Sequence, residues 1–397
     1  MTIRGNIAIV GAGLGGLALA GLLSRRGFRV RVYEQARAFQ RIGAGIQMSP
    51  NAMRVLAALG LEPHLKRIGF SPRTWTARAW DAGEPLGVLD FADAEARYGA
   101  PYLLLHRGDL HAALSSVVPP EQIRFDSKLV GLEPGGAGGV ILRFADGSSS
   151  SADAVVGADG VHSKVREFLL GTEKPRFTGR VAHRTVFPTA QMDGFVLDTC
   201  TKWWGPDRHI VMYPVTAARD ETYFVTSVPD PDWDVESWST EGDMDEVRRA
   251  LAGFHSDVQR VLGACRSVHK WALFERDPLP FWSQGPIALL GDACHPMMPY
   301  MAQGGASALE DAAMLARCLE AAGDSEMAFR TYAAMRLPRT TRLQLTSREN
   351  TWGTQGTDPG WVYAYDVWQV PIADPPAAHS RRTDPDVALN RRPPSPK

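Results

Sequence analysis

The sequence predicts an α/β fold. In it a parallel-sheet domain is interrupted by an α+β second domain built on an antiparallel sheet and is followed by a C-terminal helical segment. Three observations predict this. A glycine-rich turn, Gly11-Ala12-Gly13-Leu14-Gly15-Gly16, links a short β-rich run to a stretch with Leu and Ala at helical spacing. Two more glycine–aspartate turns, at Gly157-Ala158-Asp159-Gly160 and Gly291-Asp292, each follow a buried-type apolar run. From about residue 180 to 271 the chain instead becomes rich in Trp, Tyr, Phe, Val and Thr in alternating runs, which suits a sheet with one covered face.

The elements follow in order. Residues 6–10 read as a strand and residues 14–26 as a helix, with Gly27 placed to end it and residues 29–33 as the next strand. Apolar residues at helical spacing mark 51–59, and a helix is expected over 107–118, opening at His106-Arg107-Gly108-Asp109. Residues 123–125, 129–132 and 140–144 read as strands, the last closed by the turn signal Asp146-Gly147. Residues 154–156 form another short buried strand, and 209–214 and 222–228 belong to the second sheet. Residues 287–290 return to the buried-strand pattern, and 304–317 read as a helix. The parallel-sheet domain is therefore expected from 1–70, 100–179 and 272–345, and the β-rich domain from 71–99 and 180–271. Residues 346–370 form a C-terminal segment, and the tail 371–397 holds seven of the 28 prolines.

Composition narrows the function. The 397 residues carry 43 Lys+Arg against 44 Asp+Glu, a balance without the basic footprint of nucleic-acid binding or of an anionic membrane surface. The four cysteines (Cys200, Cys265, Cys294, Cys318) show no ligand spacing, so neither a disulfide scaffold nor a metal site is expected. No apolar run reaches membrane-spanning length, and the N-terminus lacks a signal-peptide core. The expectation is a cytoplasmic protein, monomeric or homodimeric.

The first turn is a Rossmann-like fingerprint with its context complete. Gly11 permits the tight turn, Gly13 lets backbone approach a pyrophosphate, and Gly16 lets helix and strand pack closely. The helix start at Leu14 and Gly15 offers unpaired N–H groups to an anion, and Glu34, followed by Gln35, stands where a carboxylate meets ribose hydroxyls. This motif alone does not separate FAD from NAD.

The second and third turns do. Gly157-Ala158-Asp159-Gly160-Val161-His162-Ser163-Lys164-Val165-Arg166 precedes a helix. Gly291-Asp292-Ala293-Cys294-His295-Pro296 is followed by Gln303-Gly304-Gly305 and Glu310-Asp311-Ala312. Together the three segments resemble the class A, single-component flavoprotein aromatic hydroxylases of the p-hydroxybenzoate hydroxylase-like superfamily. The resemblance runs from about residue 5 to 350. Within the superfamily the chain is most similar to the 6-hydroxynicotinate 3-monooxygenases. Those similarities lie at Val181-Ala182-His183-Arg184, Cys200-Thr201-Lys202-Trp203-Trp204, Asp207-Arg208-His209, Met301-Ala302-Gln303-Gly304, Trp352 and the stretch from Trp361 to Asp366.

The resemblance implies FAD as cofactor, NADH as a transient co-substrate, O2, and a small aromatic or pyridine carboxylate as substrate. It implies that Glu34 holds a ribose of FAD, that Arg107 reaches its phosphate or flavin region, and that the Leu129 backbone meets the adenine. Asp292 would bond the ribityl or pyrophosphate portion, Asp159-Gly160 would contribute to pyrophosphate and NADH contacts, and the backbone from Gln303 to Gly305 would face the flavin. Arg107 equally suits a surface helix charge, and Asp159 a turn former. His209 and Tyr213, four apart on one strand face, match residues credited with substrate contact and proton handling, and Cys200 matches a pocket cysteine. Two positions depart from those enzymes: Gln47 and Tyr300 stand where they have histidines. A neighbouring substrate, such as a hydroxybenzoate or salicylate, therefore stands beside 6-hydroxynicotinate and its decarboxylative hydroxylation. An inactive, redox-sensing flavin-binding protein is the rival of another class.

Overall fold

A computed structural model describes residues 5–41, 43–233 and 240–373. The proline-rich tail expected from residue 371 lies, from 374 onward, outside the described residues. The first sheet has six strands in the order Ser283–Gln284, Ile287–Leu289, Ala154–Gly157, Asn6–Val10, Arg29–Tyr33 and Ile123–Arg124. All neighbours are parallel except the Ser283–Gln284 edge. The helix Leu14–Arg25 covers it and is buried almost all round, because it lies between the sheet and the long helix Gly304–Ala321. Its last turn closes as a Schellman motif: Phe28 N–H donates to Leu23 O (3.1 Å), Gly27 N–H donates to Ser24 O (3.0 Å), and Gly27 takes φ +76°.

The glycines of the first turn divide by role. Gly11 has φ +101°, and a Cβ there would lie 2.3 Å from Ala158 O. A Cβ on Gly16 would lie 2.1 Å from Gly11 O, so both positions are fixed by packing. A Cβ on Gly13 would meet no protein atom within 4 Å. Only Gly13 fronts open space.

The second sheet has eight strands in the order Glu241–Gly242, Val268–Glu275, Arg176–Pro188, Glu221–Pro229, His209–Pro214, Cys200–Trp204, Thr74–Ala79 and Pro85–Asp90. It is antiparallel apart from one parallel pair, Cys200–Trp204 with Thr74–Ala79. Residues 180–271 are not all sheet, for the helices Met244–Ala250 and Ser256–Ala264 cover its outer face through Val247, Val258, Val261 and Leu262. A small antiparallel pair, Gly45–Met48 with Leu103–His106, and a three-stranded meander from Leu129 to Ala152 complete the β-structure.

The 25-residue helix Ser325–Glu349 carries the chain back across the molecule. It is tied to Gly304–Ala321 by fully buried charges. Arg336 Nε donates to Asp311 Oδ1 and its Nη1 lies by Glu310 Oε2, both at 2.7 Å. His295 Nε2 lies 2.5 Å from the other oxygen of Asp311. The cluster pins the Gly291–His295 turn and the start of Gly304–Ala321 to one rigid frame.

Candidate active site

One cavity of about 410 Å³ runs between the two sheets. At one end its wall is backbone: Gly13 to Gly16, Ala158, Gly160, Gly291, Gly304 and Gly305. Gly304–Ala321 begins at Gln303 without a side-chain cap, so its first N–H groups open toward this space. Gln303 itself turns inward. Its Nε2 donates to Ser49 Oγ (2.9 Å) and its Oε1 accepts from Asn51 Nδ2 (3.1 Å), while Asn51 also donates to Glu310 (2.6 Å). Ser49 and Asn51, which were not anticipated from the sequence, thus join Gln303 and Glu310 in seating the helix start beside Gly45–Met48.

Arg107 and Asp292 line the same end and face each other electrostatically. Burial lowers the Arg107 pKa, while the Asp292 charge pulls it back up. Asp292 is open to the cavity yet ringed by protein, and that desolvation raises its carboxyl above the ordinary value against His295 and Arg107. Arg107 is placed by its own N–H donating to Ala44 O (2.8 Å).

Other expected cofactor residues stand around the cavity without lining it. Glu34 accepts from Ala12 N–H (2.8 Å) and Ala36 N–H (2.9 Å), so its carboxylate sits against the glycine turn. Gln35 is exposed beside it, and Leu129 is buried in the core. The Asp159 carboxylate accepts from Ser163 Oγ (2.5 Å) and from the N–H groups of Lys164 (2.7 Å) and Val165 (3.2 Å). It therefore shapes the turn, and it is Gly160 that faces the cavity.

The other end is side chain. His209, Val211 and Tyr213 alternate onto one face of their strand, and Lys202 joins them from the neighbouring strand. The His209 ring meets the Tyr300 ring edge-to-face at 5.3 Å and Trp204 at 5.5 Å, and neither imidazole nitrogen has a hydrogen-bond partner among the described residues. Burial, with Lys202 and Arg180 nearby, holds its pKa well below the ordinary histidine value, so the ring is neutral at pH 7. Burial drives Tyr213 well above an ordinary phenol and Cys200 well above an ordinary thiol. Tyr300 donates to or accepts from Ser227 Oγ at 3.0 Å.

Gln47 is held from two sides. Tyr102 Oη donates to its Oε1 (2.6 Å) and its Nε2 lies 3.6 Å from Cys200 Sγ. Cys200 is thus behind the wall rather than in it. A Cβ on Gly45 would strike the Tyr223 ring at 2.5 Å, so Gly45 admits the aromatic pair Tyr213–Tyr223 at the cavity neck. Trp352, just after the long helix, closes the far side.

The cavity suits an elongated dinucleotide flavin. Open space at Gly13, free N–H groups at two helix starts and the Arg107–Asp292 pair offer donors and charge suited to its phosphates and ribityl chain. The remaining space runs on to the sheet face bearing His209.

Residues 4–346 match the FAD binding domain family. The chain belongs to this family, and with it to the class A flavoprotein aromatic hydroxylases. It is 48% identical to the 6-hydroxynicotinate 3-monooxygenase of Pseudomonas fluorescens, over 93% of this chain and 97% of that one. It is 42% identical to the 3-amino-4-hydroxybenzoate 2-monooxygenase PtnB3 of Streptomyces platensis, over 88% of each. Among solved structures, HpxO of Klebsiella pneumoniae complexed with FAD and uric acid superposes with a TM-score of 0.79 at 28% identity, covering 89% of each chain. FAD is the cofactor these matches support for the family, and no helix among the described residues is long and apolar enough to cross a membrane.

Proposed function

We propose that this flavoprotein hydroxylates a small hydroxylated aromatic or pyridine carboxylate, with NADH as reductant and O2 as oxidant. The observation that carries this reading is the continuity of the cavity, which joins the glycine turn and the Gly304 helix start to the sheet face bearing His209 and Tyr213. In this reading residues 1–70, 100–179 and 272–345 hold the cofactor, and 71–99 with 180–271 supply the substrate wall. Bound FAD, once reduced by NADH, supplies with O2 the electrophilic oxygen that the ring carbon takes up.

The residues of the chain do the rest. Gly13, Gly160 and the Gly304 helix start receive phosphate and flavin, with Arg107 and Asp292 alongside. The neutral His209 accepts the proton of the ring hydroxyl, which raises electron density on the carbon to be oxygenated. Tyr213, Tyr300 and the Gln47 amide present polar hydrogens that do not titrate near neutrality, and the surrounding Trp and Tyr rings exclude water. Where the attacked carbon carries the carboxylate, as in 6-hydroxynicotinate, oxygenation releases CO2. Where it carries hydrogen, as in a hydroxybenzoate, it does not. Use of NADH and the four free, buried cysteines suit the cytoplasm.

The test is NADH consumption under 18O2 with product mass analysis over hydroxylated pyridine carboxylates and benzoates, peroxide release being measured alongside. Substrate-stimulated NADH oxidation with one labelled oxygen in the product supports the reading. A flavin-loaded protein whose NADH oxidation no ring acid accelerates contradicts it.

A further inference from the structure

Lys202 is 1% exposed and lies in the cavity wall. On the sheet it stands opposite Val211, midway between His209 and Tyr213 on the adjacent strand. Its ammonium donates to Asn350 Oδ1 (2.8 Å), lies 3.7 Å from the centre of the Trp204 ring and faces Tyr300 at 5.4 Å. Among the described residues no carboxylate pairs with it. A buried lysine normally finds an acid, because an isolated ammonium in a low-dielectric site is costly. Here the nearest groups are a neutral amide, aromatic faces, the Cys200 thiol and a second cation, Arg180.

We infer that Lys202 is the specificity-determining residue that binds an anionic substituent of the substrate ring, its carboxylate, and so selects acids over their uncharged analogues. This rests on the function proposed above and names the feature of the substrate which that wall reads. The geometry supports it from three directions. Asn350 takes one of the three ammonium hydrogens, leaving donors for a ligand. The aromatic faces of Trp204 and Tyr300 flank the cation without neutralising it. His209 stands on the same wall, so a carboxylate received by Lys202 brings the ring hydroxyl into the neighbourhood of the imidazole. Burial lowers the Lys202 pKa from the ordinary lysine value, and an arriving carboxylate would favour its charged form.

The experiment follows the absorption spectrum of the bound flavin as FAD-loaded protein is titrated with 6-hydroxynicotinate and with 6-hydroxynicotinamide. The wild-type protein is expected to bind the acid at least about 10-fold more tightly than the amide. In Lys202→Met the acid should weaken about 100-fold while the amide shifts less than about threefold, with FAD content unchanged. Lys202→Arg should recover part of the preference for the acid. Equal affinities of acid and amide in the wild-type protein would overturn the inference even if Lys202→Met does not fold. So would equal weakening of both ligands in a folded, flavin-loaded Lys202→Met. A wild-type flavin that responds to neither ligand nor to any other ring acid would instead contradict the proposed function itself.

Discussion

Tyr102 donates its phenolic hydrogen to Gln47 Oε1 at 2.6 Å, and this bond fixes the orientation of an amide that lines the cavity. The carbonyl is engaged by Tyr102 and the NH2 group turns toward the Cys200 sulfur, so both ends of the amide are held while Gln47 lines the cavity. A position that cannot act as a base is thereby held in one orientation in the wall. Tyr102→Phe leaves Gln47 Oε1 buried without its donor. It should cost about 1–3 kcal/mol of stability in thermal unfolding and raise the KM for the ring acid more than it lowers kcat. Unchanged KM in a folded variant would remove Gln47 from the substrate wall.

The glycine turn makes a prediction in which neighbouring positions part company. Gly13→Ala adds a methyl group to open space, at a φ of −72° that alanine accepts, so apoprotein stability should hold while FAD affinity falls 10-fold or more. Gly11→Ala and Gly16→Ala place Cβ within 2.3 Å and 2.1 Å of backbone oxygens and should destabilise the fold itself by several kcal/mol, on the order of an overpacked core position. Unfolding curves with and without FAD separate the two outcomes.

His209→Ala should lower turnover about 100-fold or more, the scale of a lost general base, while FAD content stays near that of the wild type. Because the folded pKa of His209 is depressed, lowering pH from 8 to 6 should not reduce its effectiveness as a base through its own protonation. A kcat profile falling through pH 6.5 in the wild type but not in the variant would contradict that environment.

Acid stability follows from the same burial. His183 is held down to about pKa 4 by burial, and His209, His106 and His111 are also depressed. The unfolded chain then binds more protons than the native one below about pH 6.5. Stability is complete above that value and falls as pH drops toward 4, at about 1.4 kcal/mol per pH unit for each such histidine within its window. Glu310 and Asp311, whose pKa values buried pairing holds down, add to the loss at still lower pH. Thermal midpoints recorded between pH 7 and 4 test the direction.

Much of this was legible in sequence because it is local. Gly11, Gly13 and Gly16 lie within six residues, and the 209–214 strand shows its cavity face by simple alternation. What was hidden is what distant segments bring together. Gly45–Met48 pairs with Leu103–His106 almost sixty residues away, and Thr74–Ala79 pairs in parallel with Cys200–Trp204. No local pattern announces either. Lys202 shares the parity of Cys200 and Trp204, yet alternation alone does not say which face of that strand meets the cavity. Asp159 follows a buried strand, where ligands of α/β folds gather. The same position also suits the helix cap that its carboxylate makes.

The measurement that tests the central claim most directly is a crystal structure of the protein with FAD and a hydroxylated ring acid. The account predicts one flavin extending from Gly13 to the Gly304–Gly305 helix start, with the acid lying between its ring and the sheet, the acid's hydroxyl within hydrogen-bond distance of His209. Density placing the acid outside this cavity, or the flavin ring turned away from the sheet that carries His209 and Tyr213, would contradict it.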